Sequence, residues 1–155
     1  MYIRKANETE FDVIRSITVN TIATVYPHYY PKGAVEFFLG LHNDVAIKKD
    51  LADNKIYVAM IEDKIIATVT IDQNEINRFF VSADYQKHGY GSQILDEIEK
   101  TIFDKYDFIQ LHASLPGKSL YLKRGYQPIE FRKKEVGHQD WICIDILEKR
   151  LKKSL

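Results

Sequence analysis

The segment Gln86-Lys87-His88-Gly89-Tyr90-Gly91-Ser92 carries the clearest chemical signal in the chain. Two glycines one residue apart follow a short apolar stretch, Ile76 to Val81. After them the apolar positions Ile94, Leu95, Ile98, Ile102 and Phe103 recur at helical spacing. The pattern predicts a strand, a turn and a helix, with Gly89 and Gly91 at the junction. Glycine there opens backbone conformations closed to other residues and lets a ligand approach bare amides. A helix start adds free N–H groups and the positive end of the helix dipole, so this junction suits a phosphorylated ligand. Two well-known glycine loops do not fit. A dinucleotide fingerprint needs glycine where Ile94 stands, and a Walker A loop needs a Gly-Lys-Ser or Gly-Lys-Thr that no glycine-bounded loop here supplies.

Composition narrows the classes. A chain of 155 residues suits one domain spanning residues 1–155 and is long enough for a real core. Lys plus Arg and Asp plus Glu are 22 each, so the formal net charge is zero and favours neither nucleic acid nor an anionic membrane as partner. No apolar run is long enough to span a bilayer, and Met1 to Lys5 has no signal-peptide core. One cysteine, Cys143, permits no internal disulfide, and the expected compartment is the cytoplasm. The spacing of Cys and His offers no zinc site, so no metal is expected. Cys143 lies among Trp141, Ile142, Ile144 and Ile146 and reads as a core residue rather than a nucleophile.

The remaining chain supplies the frame. Tyr2 to Ala6 reads as an edge strand, and Asn7 with Glu10 as a capping box. Phe11, Ile14, Ile17, Thr21, Ile22 and Val25 mark a helical face. The loop from Tyr26 to Gly33, with three tyrosines and two prolines, reads either as a packing loop or as a pocket wall. A second helical stretch runs from about Ala34 to Leu51, with a break expected near His42-Asn43-Asp44. Lys55–Ile61, Ile65–Ile71 and Glu75–Val81 read as a meander leading to the glycine loop, and Asp107–His112 as the parallel partner of the last of them. Ser114 precedes a short helix closed by Lys123-Arg124-Gly125. Gln127–Val136 and Trp141–Leu147 read as a hairpin, and Glu148–Leu155 as a solvated charged tail. Arg132-Lys133-Lys134 reads as a solvated hairpin face.

Gln86-x-x-Gly89-x-Gly91 after an apolar strand resembles the acetyl-CoA pyrophosphate loop of the GNAT N-acetyltransferase superfamily. Leu120-Tyr121…Gly125-Tyr126 resembles a later motif of that family, in the right order. The resemblance spans essentially the whole chain and implies an α/β (α+β) fold. It implies a mixed, mostly antiparallel central sheet with a parallel pair splayed at the acetyl-CoA cleft, flanked by about four helices. It further implies that Lys87, His88, Gly89, Tyr90, Gly91 and Ser92 hold the pyrophosphate, with Gln86 beside them. Phe79, Phe80 and Val81 would pair with the pantetheine arm, one backbone amide there polarising the thioester carbonyl. Tyr121 falls on the position of the general acid, which returns a proton to the departing thiolate, or else packs against the cofactor. Ser114 stands where the family often has an asparagine that contacts CoA, and serine reaches less far.

The reaction so implied is direct attack of a primary amine on acetyl-CoA in a ternary complex. Glu75 is the first candidate base, since its spacing to Gln86 resembles that of a catalytic glutamate in the histone-acetylating branch; the same residue reads equally as a solvated strand-start carboxylate. His112, at the C-terminal end of the parallel strand, is the second candidate base. His28 and His42 are weaker candidates, and His138 is placed in a distal turn. The expected acceptor is a small molecule. A protein N-terminus or lysine, a longer acyl chain, and a non-catalytic acyl-CoA-binding module are the alternatives, and a homodimer is compatible with the resemblance.

Overall fold

The computed structural model describes residues 1–152. Among the described residues seven strands form: β1 (Tyr2–Lys5), β2 (Ile56–Ile61), β3 (Lys64–Asp72), β4 (Glu75–Val81), β5 (Phe108–Ala113), β6 (Gln127–Glu135) and β7 (Trp141–Arg150). They make one sheet in the order β1-β2-β3-β4-β5-β7-β6, and only β4 and β5 run parallel. Five α-helices accompany them: α1 (Phe11–Val25), α2 (Lys32–Leu41), α3 (Asp44–Ala52), α4 (Tyr90–Phe103) and α5 (Leu115–Lys123). The expected break in the second helical stretch divides α2 from α3. Asn43 adopts extended backbone there and its side chain accepts from the Ala46 amide at 2.9 Å, an N-cap that starts α3. The capping box is also present, with Asn7 Oδ1 accepting from Thr9 and Glu10 accepting from the Asn7 amide, though it opens a short 3₁₀ turn ahead of α1.

The helices divide between the two faces of the sheet. On one face Ile94, Leu95, Ile98 and Ile102 of α4 pack with Tyr121 and Tyr126 against Ile76, Ile109, Leu111 and Leu147. On the other, Ile17 and Ile22 of α1 and Ala34 and Phe38 of α2 pack with Tyr26, Tyr30, Phe80 and Ile142. A third cluster seats Ile47 and Leu51 of α3 on Ile56, Val58 and Met60. Strand alternation sends successive side chains to opposite faces, so on β4 Phe79 and Val81 meet the α4 side while Phe80 meets α1 and α2.

Two expectations are corrected. The charged stretch after Leu147 is not a tail from Glu148 onward: β7 continues to Arg150, pairing with β5 as far as Phe108↔Arg150. The charges have partners in the fold, with Lys149 Nζ 2.7 Å from Glu99 and Glu148 accepting from Gln110 at 2.9 Å. Residues 153–155 lie outside the described residues. Cys143 is exposed rather than in the core, because alternation along β7 turns Ile142 and Ile146 inward and leaves Trp141 and Cys143 outward.

Candidate functional site

The site begins with a local irregularity in β4. Thr70 pairs with Arg78 and Ile71 with Ile76, which leaves Asn77 as an extra residue on β4. Such a bulge bends its strand and breaks the ladder. At the same level the parallel pairing ends: β4 meets β5 only at Glu75↔Gln110 and Ile76↔Leu111. Beyond them Arg78 to Val81 keep their pairing with β3, while the edge facing β5 is open. β5 cannot follow, since Ser114 starts α5 and Pro116 sits in its first turn. The two strands part, and a cleft of about 1310 Å³ opens between them.

α4 points its N-terminus at this opening. Gly89 has φ +83 in the left-handed region, where a side chain would be strained. No side chain caps the helix, so the amides of Tyr90, Gly91 and Ser92 are left without intrahelical acceptors. Gly91 carries no such backbone demand. A Cβ there would make ordinary contacts with Leu120 and Phe79, at 3.7 and 3.9 Å, but anything longer would project into the cleft. Gln86 donates from Nε2 to the Val81 carbonyl at 2.9 Å, tying the loop back to the end of β4. Lys87, at φ +62, and His88 are exposed.

Phe79, Phe80, Val81, Gln86, Lys87, Gly91, Ser114 and Tyr121 line the cleft. Of the candidate bases, His112 lines it and Glu75 does not; Glu75 is exposed at the start of β4, paired with Asp72 and Gln110. Leu111 and Ala113 turn to the α4 face, which directs His112 to the α1–α2 face. His138 lies in the β6–β7 turn, but the turn folds onto α2, and its Nε2 is 2.9 Å from Glu36.

Tyr121 is buried against Tyr126, the rings 5.4 Å apart and edge-on. Burial holds its hydroxyl well above the usual phenol range, so the proton stays on. Arg124 fixes the end of its helix. Sequence alone suggests a basic residue favouring the helix C-terminus, but its guanidinium grips Glu99 in α4 through two bonds of 2.9 Å and Asp96 through one of 2.7 Å. Burial alone would raise the Glu99 carboxyl, but Arg124 and Lys149 outweigh it and hold the carboxyl below its ordinary range.

On the other wall sequence reasoning offered the tyrosine loop and His42 but missed Arg78. Tyr26 and Tyr30 are buried, and the Tyr30 hydroxyl accepts from the Leu115 amide at 2.7 Å, satisfying one orphan donor of α5. The Tyr26–Tyr30 region therefore takes both roles left open for it, packing and pocket wall. His42 also lines the cleft, edge-on to Phe80 at 5.8 Å. Arg78, 5% exposed, donates to Thr70 at 3.3 Å and pairs with Asp50 of α3. Among the described residues no group of three His, Cys, Asp or Glu side chains is placed to hold a metal. No helix among them is long and apolar enough to cross a membrane.

A mixed sheet splayed between a parallel pair, with an uncapped helix start at its mouth, is the architecture of the site. Solved structures share it at low identity. A GCN5-related N-acetyltransferase from Rhodopseudomonas palustris is 17% identical with a TM-score of 0.85, covering 97% of this chain and 95% of that one. The PaiA N-acetyltransferase of Thermoplasma acidophilum, in complex with coenzyme A, is 17% identical with a TM-score of 0.74, covering 97% and 98%. YncA of Salmonella typhimurium, a putative acetyltransferase with its cofactor acetyl-CoA, is 11% identical with a TM-score of 0.72, covering 100% and 96%. No curated protein sequence matches the chain. The family model described as acetyltransferase (GNAT) domain matches residues 25–142, well over half of the chain. The chain belongs to the GNAT acetyltransferase family.

Proposed function

We propose that this protein transfers an acetyl group from acetyl-CoA to the primary amine of a small molecule. The observation that carries the reading is the protonated Tyr121 facing the same cleft as the free edge of β4 and the uncapped start of α4. The two coenzyme A-bearing neighbours of this fold favour the same ligand. Amides of Tyr90, Gly91 and Ser92 would receive the pyrophosphate, helped by the charge of Lys87 and flanked by His88 and Gly89. The edge of Phe79, Phe80 and Val81 would receive the pantetheine amides as a strand would.

In the transfer, the amine nitrogen attacks the thioester carbon, an N–C bond forms and the C–S bond breaks. The thiolate takes the proton of the Tyr121 hydroxyl. The proton lost by the amine goes to His112, which shares the acceptor face of the cleft, rather than to Glu75, which stands outside it. Ser114, at the start of α5 in the cleft lining, would hydrogen-bond the cofactor.

Titration calorimetry with acetyl-CoA tests the first half: binding by wild type and by Gly91→Ala, lost in a folded Gly91→Glu. His112→Asn tests the second, with kcat falling about 10- to 100-fold and acetyl-CoA affinity unchanged. A folded wild type that binds no acetyl-CoA overturns the reading.

A further inference from the structure

The charges around the cleft are not those of the chain as a whole. The protein is formally neutral, yet the cleft is lined by Arg78, Lys87, Arg132, Lys133 and Lys134 against one carboxylate, Asp50. Cofactor phosphates account for Lys87, which sits in the loop before α4. They do not account for Arg132 and Lys134. Register places these two opposite Ile144 and Ile142, whose side chains pack with α1 and α2, so both basic residues project on the face of the sheet away from α4. The Lys134 ammonium lies 4.8 Å from the centre of the Phe37 ring of α2, on that face.

The cations on this face differ in how far they are neutralised. Arg78 is matched by Asp50. Arg132 is matched by Glu130 in two bonds, 2.7 and 2.9 Å, on an exposed strand where such a pair is screened. Lys134 has no carboxylate within ion-pair distance among the described residues. Between Lys134 and the parting of β4 from β5 the wall is aromatic: Phe37, Phe38, Tyr29 and Phe80. A cation at the mouth of an apolar cleft attracts anions more strongly than the same cation on an open surface, because the low-dielectric walls focus its field.

We infer that the acceptor is a small amine with an apolar body that also carries an anionic group, a carboxylate or phosphate, bound by Lys134 with Arg132 beside it. The amine then lies toward the thioester and the anion toward β6. The inference rests on the acetyl-transfer reading for what happens to the amine, but not for the binding of the anion.

The test uses matched pairs that differ in the anion alone: phenylalanine and phenethylamine, tryptophan and tryptamine, O-phosphotyramine and tyramine. Each is titrated into CoA-loaded protein, and each is assayed for acetylation. The anionic member of at least one pair binds about tenfold more tightly than its neutral partner in wild type, the scale of one charge-assisted contact. Lys134→Gln abolishes most of that difference, Lys134→Arg keeps it, and the affinity for acetyl-CoA stays the same in both. Added salt weakens only the anionic member. Anionic members that bind no better than their partners in any pair overturn the inference, as does a Lys134→Gln that weakens both members equally. The two readings fail separately. Anion preference in binding without acetylation of any amine leaves this inference standing and removes the transferase reading. Acetylation of an amine with no anion preference in the binding of any pair does the reverse.

Discussion

Tyr121 sits where a phenol keeps its proton until a strong base appears beside it. Burial and the nearby hydroxyl of Tyr26 and carboxylate of Glu99 raise it, and the Arg124 cation only partly offsets them. A departing thiolate is such a base, so Tyr121→Phe lowers kcat about 10²-fold while the dissociation constant of acetyl-CoA stays within twofold; equal losses in both would reduce Tyr121 to a packing residue. His42 makes a prediction of a different kind. Burial, with the Arg78 cation adding to it, pushes its imidazole down to about 4 from 6.5. The folded state therefore binds fewer protons than the unfolded state in that window. Stability present above pH 6.5 is lost as the pH falls toward 4, by on the order of 1–3 kcal/mol given the ring's partial exposure. Urea midpoints measured at pH 7 and pH 5 fall less for His42→Phe, which keeps an aromatic edge on Phe80, than for wild type. An undiminished fall in the variant would assign the effect to another group. At this scale the sequence was unevenly legible. Tyr121 stood out because Leu120 precedes it and Gly125-Tyr126 follow at a fixed distance. His42 carried no such local pattern, since what isolates it from water is Phe80 on a strand far along the chain.

Among the elements, the helices and strands were readable because their periods are short-range: α4 buries Ile94, Leu95, Ile98 and Ile102 as the spacing requires. The features that open the cleft were not readable. The Asn77 bulge is a relation between two strands, and a run such as Glu75–Val81 looks the same with or without an unmatched residue. The attachment of α2 is likewise long-range. The Gly33 amide donates to Asp140 Oδ2 at 2.8 Å, and a Cβ on Gly33 would run into the Gly137 carbonyl and the Asp140 carboxylate. Here glycine is needed for close approach rather than for a turn, and it pins the helix carrying Phe37 and Phe38 to the β6–β7 turn. Gly33→Ala must push these elements apart, which costs about 1–3 kcal/mol in the manner of an overpacked core. Because α2 lines the face proposed for the acceptor and the glycine loop lies on the other, the variant raises the acceptor KM and leaves acetyl-CoA binding within about twofold. A thermal midpoint equal to wild type would show that the contact relaxes freely.

For the whole molecule, the cleft is also a mechanical question. The sheet is held across β4 and β5 by two register pairs, a seam along which β1–β4 and β5–β7 could part as separate halves if pairing alone held them. Packing argues otherwise. One core cluster takes Ala67, Val69 and Ile76 from the first half and Ile109, Leu111 and Leu147 from the second, with α4 lying across both. On the opposite face Phe80 and Ile142 share a cluster with α1 and α2. Burial of that extent, spread over both sides of the gap, outweighs a few missing ladder bonds of about 1 kcal/mol each. The expected outcome is a single cooperative unit: in native-state hydrogen exchange, the slowest amides of β3 and of β7 report the same opening free energy, equal to that of global unfolding. Acetyl-CoA at about 100 times its dissociation constant raises both by about 2.7 kcal/mol, because a ligand wedged between β4 and β5 binds only when both halves are in place. A β7 that exchanges through a cheaper opening than β3 would overturn the single-unit argument. Protection confined to α4 would mean that the ligand rests on the glycine loop without entering the cleft.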